Sequence, residues 1–508
     1  MSSTAAFRTA LNFYSIMMAG FVAGVLAPLL VVLLLLFGLP VAVALSVGVI
    51  SGAAGFYILV PLVPSGWVDF LRGRSRVAVV FWTLACVFVL MFTMRLGAFM
   101  LDPEKKQFSL APPVEFMVKH TCLSGYLSAA ALAELGTENL YILSHYKDPE
   151  MQKLMPEVAP LDRDFYAYPP QFLLLPKLML TLSRDFFDVR AGWYVFYSAA
   201  VLISMIGIAF WVGGREGAVL GVLTPVIWIS LPTLVNLQLG NIHLLIYVAC
   251  LGAMIAFEKR RTGGDVLGGA LLAFAILAKI FPGILVLYLL LQRRLKPVVW
   301  VGVFGLVYSA LALAVFGLRP FVDYITYDIP KIASGELFDF VWTFTPAILV
   351  NYSPFGIPFK LQLVGLEFAD PLAISRVIIL VYTALVLGLL VLVSLRLKKR
   401  EDNGEQGPRF RLTRIVVWLA LLALMSYRSP FAPWTYGAVG GVWLFAAFAA
   451  LWSLKPAHTA LLIVGWVLIS VYGPPIVVPM VVFSLIAQTI LYVSGFWIAA
   501  KGSDPAAA

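Results

Sequence analysis

Chemically reactive side chains are concentrated in one polar interval, which runs from about residue 101 to residue 170 between long apolar segments. A carboxylate can accept the proton of a substrate hydroxyl, and an imidazole, with a pKa near ~6.5, can do so near neutral pH. The interval closes with the sequence Phe165-Tyr166-Ala167-Tyr168-Pro169-Pro170. Its acids are Asp102, Glu104, Glu115, Glu134, Glu138, Asp148, Glu150, Glu157, Asp162 and Asp164, and they are accompanied by His120, Cys122 and His145. We expect a polar substrate to meet catalytic groups here.

The composition is that of a polytopic integral membrane protein. Of the 508 residues, 61% are hydrophobic and 12% are charged, whereas a soluble globular chain has about 45–50% apolar and about 25% charged residues. The net charge of +10 comes from short Lys and Arg clusters between apolar runs, a pattern that sets membrane topology and predicts no nucleic-acid partner. The three cysteines, Cys86, Cys122 and Cys250, are too scattered to predict a disulfide framework or a thiolate metal site.

About twelve membrane crossings are predicted from the apolar segments. The loop from Ser65 to Arg76 contains three arginines, so we assign it to the cytoplasmic side, and the 101–170 interval is then extracytoplasmic. The basic clusters at 258–261, 293–296 and 396–414 return to the cytoplasmic side, as do both termini. The crossings are expected at about residues 13–39, 40–63, 77–100, 192–213, 217–236, 242–257, 298–317, 372–396, 413–427, 433–453, 457–471 and 475–499.

The apolar segment 263–292 is treated separately because Ala278-Lys279-Ile280-Phe281-Pro282-Gly283 interrupts it. Basic residues stand at both of its ends, and a single span would put one of these clusters outside. We therefore predict a re-entrant helical hairpin that enters and leaves on the cytoplasmic side. Non-helical backbone at membrane depth must be covered by protein or line a water-filled cavity, and Lys279 lies at that point.

Three regions follow from these segments. Residues 1–76 form two N-terminal spans and a basic loop. Residues 77–453 form a membrane core, with outer loops at about 101–170 and 318–371. Residues 454–508 form the C-terminal spans and a short cytoplasmic tail.

Four sequence blocks resemble, in order, those of glycosyltransferase family 87. The first runs from Ser124-Gly125-Tyr126-Leu127-Ser128-Ala129-Ala130-Ala131 to Gly136-Thr137-Glu138-Asn139-Leu140-Tyr141, and the others are Tyr168-Pro169-Pro170, Leu237-Gln238-Leu239-Gly240-Asn241, and Gly268-Gly269-Ala270 to Lys279-Ile280-Phe281-Pro282. The resemblance covers roughly residues 80–450. It implies an all-α membrane fold of the integral-membrane C superfamily (GT-C-like) and an activity like that of mannosyltransferases that use polyprenol-phosphate mannose.

The resemblance also implies a catalytic Asp at the start of the first outer loop, where it serves as general base for the acceptor hydroxyl. In this chain that position falls near Cys122, within His120-Thr121-Cys122, and holds no carboxylate. The candidates for this catalytic role are Glu115, Asp102, Glu104 and His120. Asp102 and Glu104 have an alternative role in pairing with Lys105 and Lys106, and the later loop acids, Asp162 and Asp164 among them, are expected to be solvated charges.

The departing phosphate of a lipid-linked donor requires cationic or hydrogen-bonding groups. Lys279 is one candidate, because an ammonium at the break of the hairpin needs an anionic partner or water; the alternative is that it extends to the membrane interface. Arg428, near the outer end of a span, is a second candidate because a guanidinium matches phosphate geometry, and an interfacial anchor is its alternative. His243 is a third candidate for the donor phosphate.

Polar groups near the second and third blocks are candidates for the substrate pocket. Gln238 and Asn241, with His243, cluster at the outer end of a span, and their alternative is hydrogen bonding between helices. Tyr168 is placed to stack on a sugar face, although Tyr168-Pro169-Pro170 also suits the start of a helix over 171–182. His243 has no His or carboxylate at ligand spacing, so no metal site is predicted. The aromatic second outer loop is either a flap over the acceptor or an interfacial segment.

These features predict a membrane glycosyltransferase that transfers a hexose, with mannose as first choice, from a polyprenyl-phosphate sugar to an extracytoplasmic glycan or glycolipid acceptor, with inversion. Its setting would be the lipid bilayer of the bacterial inner (plasma) membrane, and no cofactor is expected. One alternative is a secondary transporter or lipid flippase, since discontinuous spans beside polar residues are also a transporter feature. The other is an inactive family member that acts as a partner subunit.

Overall fold

The computed structural model describes residues 11–102, 106–110, 115–149, 158, 161–363, 365–451, 464 and 466–467. Within these residues the regular secondary structure is helical apart from one pair of two-residue strands and one isolated bridge between Asn351 and Pro433. The expected all-α membrane class is therefore confirmed. Glu104 and the two crossings expected at 457–471 and 475–499 lie outside the described residues.

Four helices form the N-terminal part, and their ends are set by local hydrogen bonds. Asn12 precedes the first helix, and its side-chain oxygen accepts from the backbone N–H groups of Tyr14 and Ser15. Ser75 caps the fourth helix by accepting from the N–H of Ala78. Such caps satisfy backbone donors that have no partner within the helix. The helices are α1 (Phe13–Leu36), α2 (Val41–Leu59), α3 (Ser65–Arg72) and α4 (Arg76–Leu101).

The first outer interval folds into short elements. They are α5 (Glu115–Lys119), β1 (His120–Thr121), α6 (Cys122–Glu134), α7 (Ser144–Lys147), β2 (Asp162–Arg163) and, after a 3₁₀ turn at Pro170–Leu173, α8 (Leu174–Leu182). Strands β1 and β2 pair in parallel, with His120 opposite Asp162 and Thr121 opposite Arg163. This pairing brings the segment before the 165–170 sequence back onto the start of α6.

A central group of helices follows, comprising α9 (Phe186–Val212), α10 (Gly214–Trp228), α11 (Leu231–Leu239) and α12 (His243–Glu258). Helices α10 and α11 are bent by 61° relative to each other. Gly240 ends α11 with a left-handed φ of 65°, a conformation that glycine adopts without steric cost. A Cβ at this position would lie 3.0 Å from the Cβ of Leu123. Gly240 thus allows the α11–α12 turn to lie directly against α6.

The broken apolar segment consists of α13 (Thr262–Ala278), a 3₁₀ turn at Phe281–Gly283 and α14 (Ile284–Leu291), and it is followed by α15 (Leu295–Phe316). The two ends of the segment lie together, because Nη1 of Arg294 is 2.6 Å from Oε1 of Glu258. Gly269 at the middle of α13 lies against Trp300 near the start of α15, where a Cβ on the glycine would be 2.6 Å from the Cβ of Trp300, so these two helices pack closely. This placement agrees with the hairpin that the basic residues at both ends predict.

The remaining helices are α16 (Arg319–Asp323), α17 (Ile329–Ser334), α18 (Phe340–Thr343), α19 (Thr345–Val350), α20 (Ile357–Gln362), α21 (Pro371–Asp402), α22 (Pro408–Ser426) and α23 (Trp434–Leu451). A π-helical turn at Tyr324–Asp328 joins α16 to α17. Helix α22 is buried almost all round, with Trp418 at its centre. The second outer interval is thus a chain of short helices between α15 and α21.

Six helices in the described residues are long and apolar enough to cross a membrane, namely α1, α2 with its 3₁₀ extension to Leu62, α4, α9, α15 and α21. The bent pair α10 and α11 would make a seventh span. Large apolar side chains such as Leu306 and Leu380 are more than 70% exposed on these helices, as expected of surfaces that face lipid. Helices α12, α13 and α23 are apolar but shorter. The number of about twelve crossings stays a prediction.

Basic residues from three predicted inner clusters meet at one end of the molecule, which we call the basic end. Glu258 binds Arg294 and Arg414, and Glu401 binds Arg260, Arg294 and Arg414. These five side chains come from the ends of α12, α14 and α21 and from the start of α22. The ion pairs hold the hairpin ends to the loop at 396–414.

Candidate active site

The candidate site lies where β1, β2 and the turn between α11 and α12 meet. It is near the C-terminal end of α13, and the N-terminal end of α13 is at the basic end. Strand β1 is fixed to α11 because Oγ1 of Thr121 donates to the carbonyl oxygen of Leu239 at 3.1 Å. Ser124 Oγ donates to the carbonyl of Thr121 at 2.7 Å and accepts from the N–H of Asp164 at 3.4 Å. These bonds hold the segment after β2 against the first turn of α6.

Asp164 approaches α6 closely because residue 125 is glycine. A Cβ on Gly125 would lie 2.6 Å from the carbonyl oxygen and 2.9 Å from the carbonyl carbon of Asp164. A methyl group cannot occupy that space without moving the backbone of one segment. The carboxylate of Asp164 is oriented by Oδ1, which accepts from the N–H of Phe165 at 3.1 Å.

Three potential ligand atoms converge at this position. Nε2 of His120 is 3.8 Å from Sγ of Cys122 and 3.9 Å from Oδ2 of Asp164. All three atoms lie within 4.8 Å of one another. The His120 side chain is 9% exposed and that of Asp164 is 26% exposed, so the carboxylate is accessible while the imidazole is covered, in part by stacking on Phe116 at 4.5 Å.

Asn241 connects this cluster to the next helix. Its Nδ2 donates to Sγ of Cys122 at 3.2 Å, and its Oδ1 accepts from the N–H of His243 at 2.8 Å. Its carbonyl oxygen accepts from the hydroxyl of Tyr197 at 2.7 Å. The His243 ring in turn stacks on Phe281 of the hairpin turn, with the ring centres 5.2 Å apart. The α11–α12 turn therefore bridges the cysteine and the hairpin.

A group of buried tyrosines forms one wall. The hydroxyls of Tyr126 and Tyr168 are 3.0 Å apart, and Tyr141 donates to the carbonyl oxygen of Tyr168 at 3.2 Å. Burial raises the pKa of both Tyr126 and Tyr168 well above the usual value for a phenol, so both remain neutral and serve as hydrogen-bonding groups. This network fixes the ring of Tyr168 at the hairpin tip.

Lys279 of the hairpin adds a positively charged side chain beside the buried tyrosines. It ends α13 in an extended conformation, and its Nζ lies 5.5 Å from the centre of the Tyr168 ring. A cation near an aromatic face is attracted by the negative face of the ring. Lys279 also lies close enough to Cys122 and Asp164 to interact with their charges. A carboxylate and an ammonium therefore lie within electrostatic range of each other.

Residues 166–361 match the model of glycosyltransferase family 87. The matched range contains Tyr168, Asn241, His243 and Lys279, and it confirms the resemblance over that part of the expected 80–450 range. Searches of curated proteins and of solved structures gave no match. The family 87 match indicates a glycosyltransferase, and the GT-C membrane fold is consistent with it.

The family 87 match begins after the remaining site residues in the sequence. His120, Cys122 and Asp164 precede residue 166, and so does the Ser124 to Tyr141 block that carried part of the resemblance. The structure nevertheless connects this cluster to the matched range, because Cys122 accepts from Asn241 and both Cys122 and Asp164 lie within electrostatic range of Lys279. A carboxylate does lie beside Cys122, that of Asp164, which the sequence had led us to expect among the solvated charges.

Four other predicted residues of this glycosyltransferase-like chain lie in different surroundings. Glu115 is exposed and pairs with Lys119, whose hydrogen bond lowers the pKa of the carboxyl group. Asp102 ends α4 near Arg190. Gln238 binds Ser109 and the N–H of Leu110, so it attaches the start of the first outer loop to α11. Arg428 is exposed, and its Nε donates to Thr383 at 3.2 Å.

The second outer interval packs on the first. The rings of Tyr324 and Tyr141 lie 5.6 Å apart, and those of Phe338 and Phe165 lie 6.1 Å apart. Arg319 also binds Glu138 at 2.8 Å. Because Phe165 adjoins Asp164, the second interval lies beside the candidate site, as the acceptor-flap alternative requires.

Sequence reasoning missed Asp164 and gave Cys122 no role. One signal was present, because Asp164 directly precedes the aromatic 165–170 sequence, and Gly125 in α6 is the small residue that admits it. The pairing of these two positions depends on a two-residue strand contact, which leaves no periodic pattern in the sequence.

Proposed function

We propose that the protein is an inverting membrane glycosyltransferase that transfers a hexose, mannose as first choice, from a polyprenyl-phosphate donor to a glycan or glycolipid acceptor. The family 87 match supports glycosyl transfer. The basic clusters gather at one end of the molecule, and basic loops favour the cytoplasmic side. The candidate site then faces the extracytoplasmic side of a bacterial inner membrane, with both termini in the cytoplasm.

The observation that carries the proposal is that the Asp164 carboxylate lies with His120 and Cys122, while Lys279 Nζ lies over the neighbouring Tyr168 ring and within electrostatic range of Asp164. In the reaction, the oxygen of an acceptor hydroxyl bonds to the anomeric carbon while the bond from that carbon to the phosphate oxygen breaks. The hydroxyl proton goes to the carboxylate of Asp164, and the lipid phosphate leaves with the electron pair. General-base catalysis by a positioned side chain contributes about 10²–10⁴-fold to such a rate.

Lys279 is assigned to the departing phosphate. Negative charge develops on the phosphate oxygen as the glycosidic bond breaks. A fixed cation therefore stabilises the transition state more strongly than the ground state. The Tyr168 ring beneath Nζ orients the ammonium. Asn241 and His243 adjoin the same region and are assigned to the donor pocket. The lipid tail of the donor would lie between neighbouring spans.

Glycosyl transfer by the purified full-length protein in lipid nanodiscs is the test of this function. Radiolabelled polyprenyl-phosphate hexoses would be offered in parallel with the corresponding nucleotide sugars, together with a membrane glycolipid extract as acceptor. We expect label to move to the acceptor from one lipid-linked donor only, and the product linkage to have the opposite anomeric configuration by NMR. Transfer from a nucleotide sugar alone would contradict the donor assignment. No transfer from any donor by folded protein would favour the transporter or the inactive subunit.

A further inference from the structure

The cluster of His120, Cys122 and Asp164 has the composition of a metal site. An imidazole, a thiol and a carboxylate are the three side-chain classes that bind zinc. Tetrahedral bonds of about 2.0–2.3 Å place neighbouring ligand atoms about 3.3–3.6 Å apart. The observed separations of 3.8 Å and 3.9 Å from His120 Nε2 need only small side-chain rotations to reach those values.

The same three residue types could instead form a cysteine nucleophile with a histidine base, but their orientation argues against this. In such a triad one ring nitrogen contacts the nucleophile and the other is held by the acid. Here both Cys122 and Asp164 approach Nε2 of His120. Nδ1 is buried and has no hydrogen-bond partner among the described residues. The three groups therefore point at one position in space, as ligands do.

The donor set and its surroundings favour zinc over harder cations. Mg²⁺ and Ca²⁺ are bound almost entirely by oxygen, whereas a thiolate with an imidazole selects a softer ion. The amide of Asn241 donates to Sγ of Cys122 at 3.2 Å, a bond that stabilises a thiolate. Ser124 holds the N–H of Asp164 and so positions the carboxylate. Hydrogen bonds of this kind around metal ligands orient them and strengthen binding.

We propose that His120, Cys122 and Asp164 bind one Zn²⁺ ion and leave its fourth position open to the acceptor hydroxyl. Three protein ligands with one open position are the arrangement of catalytic zinc sites, and zinc lowers the pKa of a bound water to about 7. An acceptor hydroxyl on the ion loses its proton more readily, and Oδ1 of Asp164 receives that proton as the oxygen attacks the anomeric carbon. This role rests on the proposed function, whereas zinc binding itself does not.

Metal content and cobalt spectroscopy of the full-length protein test the site without an activity assay. We expect about one zinc ion per chain by mass spectrometry. After removal of zinc with a chelator, added Co²⁺ should give a thiolate-to-cobalt charge-transfer band. Cys122→Ser should abolish the band and His120→Ala should weaken cobalt binding, while Cys250→Ser, which removes another buried thiol, should leave both unchanged. Asn241→Ala should weaken binding by about 10–100-fold.

Two results would overturn the metal site. The first is that folded wild-type protein holds no zinc and gives no charge-transfer band with Co²⁺. The ammonium of Lys279 would then be the cation beside Cys122 and Asp164. The other is zinc retained equally by Cys122→Ser and His120→Ala, which would place the ion elsewhere. Because the wild-type cobalt band needs no variant, misfolding of a mutant cannot decide the outcome. Normal transfer by zinc-free protein would refute the role of the ion in the reaction, and zinc binding without transfer would refute the glycosyltransferase alone.

Discussion

Oδ2 of Asp164 lies 3.9 Å from Nε2 of His120, and this contact joins two segments of the first outer interval that are separated by α6 and α7. The parallel pairing of β1 with β2 places the two residues together. It supplies a carboxylate at the position where the resemblance to family 87 requires one and where the local sequence has only Cys122.

Gly125→Ala should lower kcat without unfolding the protein. The added Cβ would lie 2.6 Å from the backbone carbonyl of Asp164, so the carboxylate must move, and a displacement of about 1 Å can cost about 10²-fold in rate. Gly207→Ala is the matched control, because a Cβ there meets no atom within 4 Å. Transfer rate and thermal stability would be measured together. Equal kcat values for the two variants would show that the position of Asp164 is unimportant.

Lys279→Met should reduce kcat by about 10²-fold, because the departing phosphate loses a fixed positive charge. Lys279→Arg should restore part of the rate, since it returns the charge with different geometry. Lys177→Met provides the control, as Lys177 pairs with Glu134 away from the hairpin. Steady-state kinetics with the lipid-linked donor give kcat and KM separately. A larger loss in Arg428→Gln than in Lys279→Met would transfer the phosphate role to Arg428.

The membrane class could be predicted from the sequence, because composition and charge are properties of local sequence. Tyr168, Asn241 and Lys279 were candidates for one site because they belong to the blocks that resemble family 87. The hairpin was also foreseeable, since basic residues flank both ends of an interrupted apolar segment. Asp164 was not foreseeable in the same way. Its position depends on tertiary contacts, namely a two-residue strand pairing and a glycine that admits its backbone, and neither produces a period or a spacing.

Asp328 should make the stability of the second outer interval depend on pH. Burial raises the pKa of its carboxyl group to about 7, and both oxygens lack hydrogen-bond partners among the described residues. The unfolded value is about 3.9, so the folded state holds the proton between these values. The resulting stability is complete below about pH 4, falls as pH rises, and is lost above about pH 7. The free energy involved is on the order of a few kcal/mol.

Asp328→Asn isolates this contribution because asparagine is neutral throughout. We expect the variant to gain stability relative to the wild type as pH rises from 5 to 8, measured as the difference in Tm in detergent. Asp339→Asn, at an exposed position of the same interval, should show no such trend. A pH-independent difference between Asp328→Asn and the wild type would mean that Asp328 is ionised in the folded protein.

Arg414→Met should destabilise the basic end and leave the chemistry of the site intact. Arg414 binds Glu258 and Glu401, and all three side chains are less than one-fifth exposed. Removing one partner of a buried ion pair leaves an uncompensated charge, which costs about 3–5 kcal/mol. Thermal unfolding of Arg414→Met would be compared with that of Arg409→Met, whose arginine is exposed. An unchanged Tm would show that the network contributes little to stability.

The rate of sugar transfer by Asp164→Asn, set against that of Asp162→Asn, tests the central claim most directly. The two substitutions remove carboxylates two positions apart, but of the two only the Asp164 carboxylate belongs to the cluster with His120 and Cys122. We predict that Asp164→Asn lowers kcat by at least about 10²-fold, that Asp162→Asn retains nearly wild-type kcat, and that both fold normally. A wild-type rate in Asp164→Asn, or loss of activity instead in Glu115→Gln or Asp102→Asn, would contradict the account.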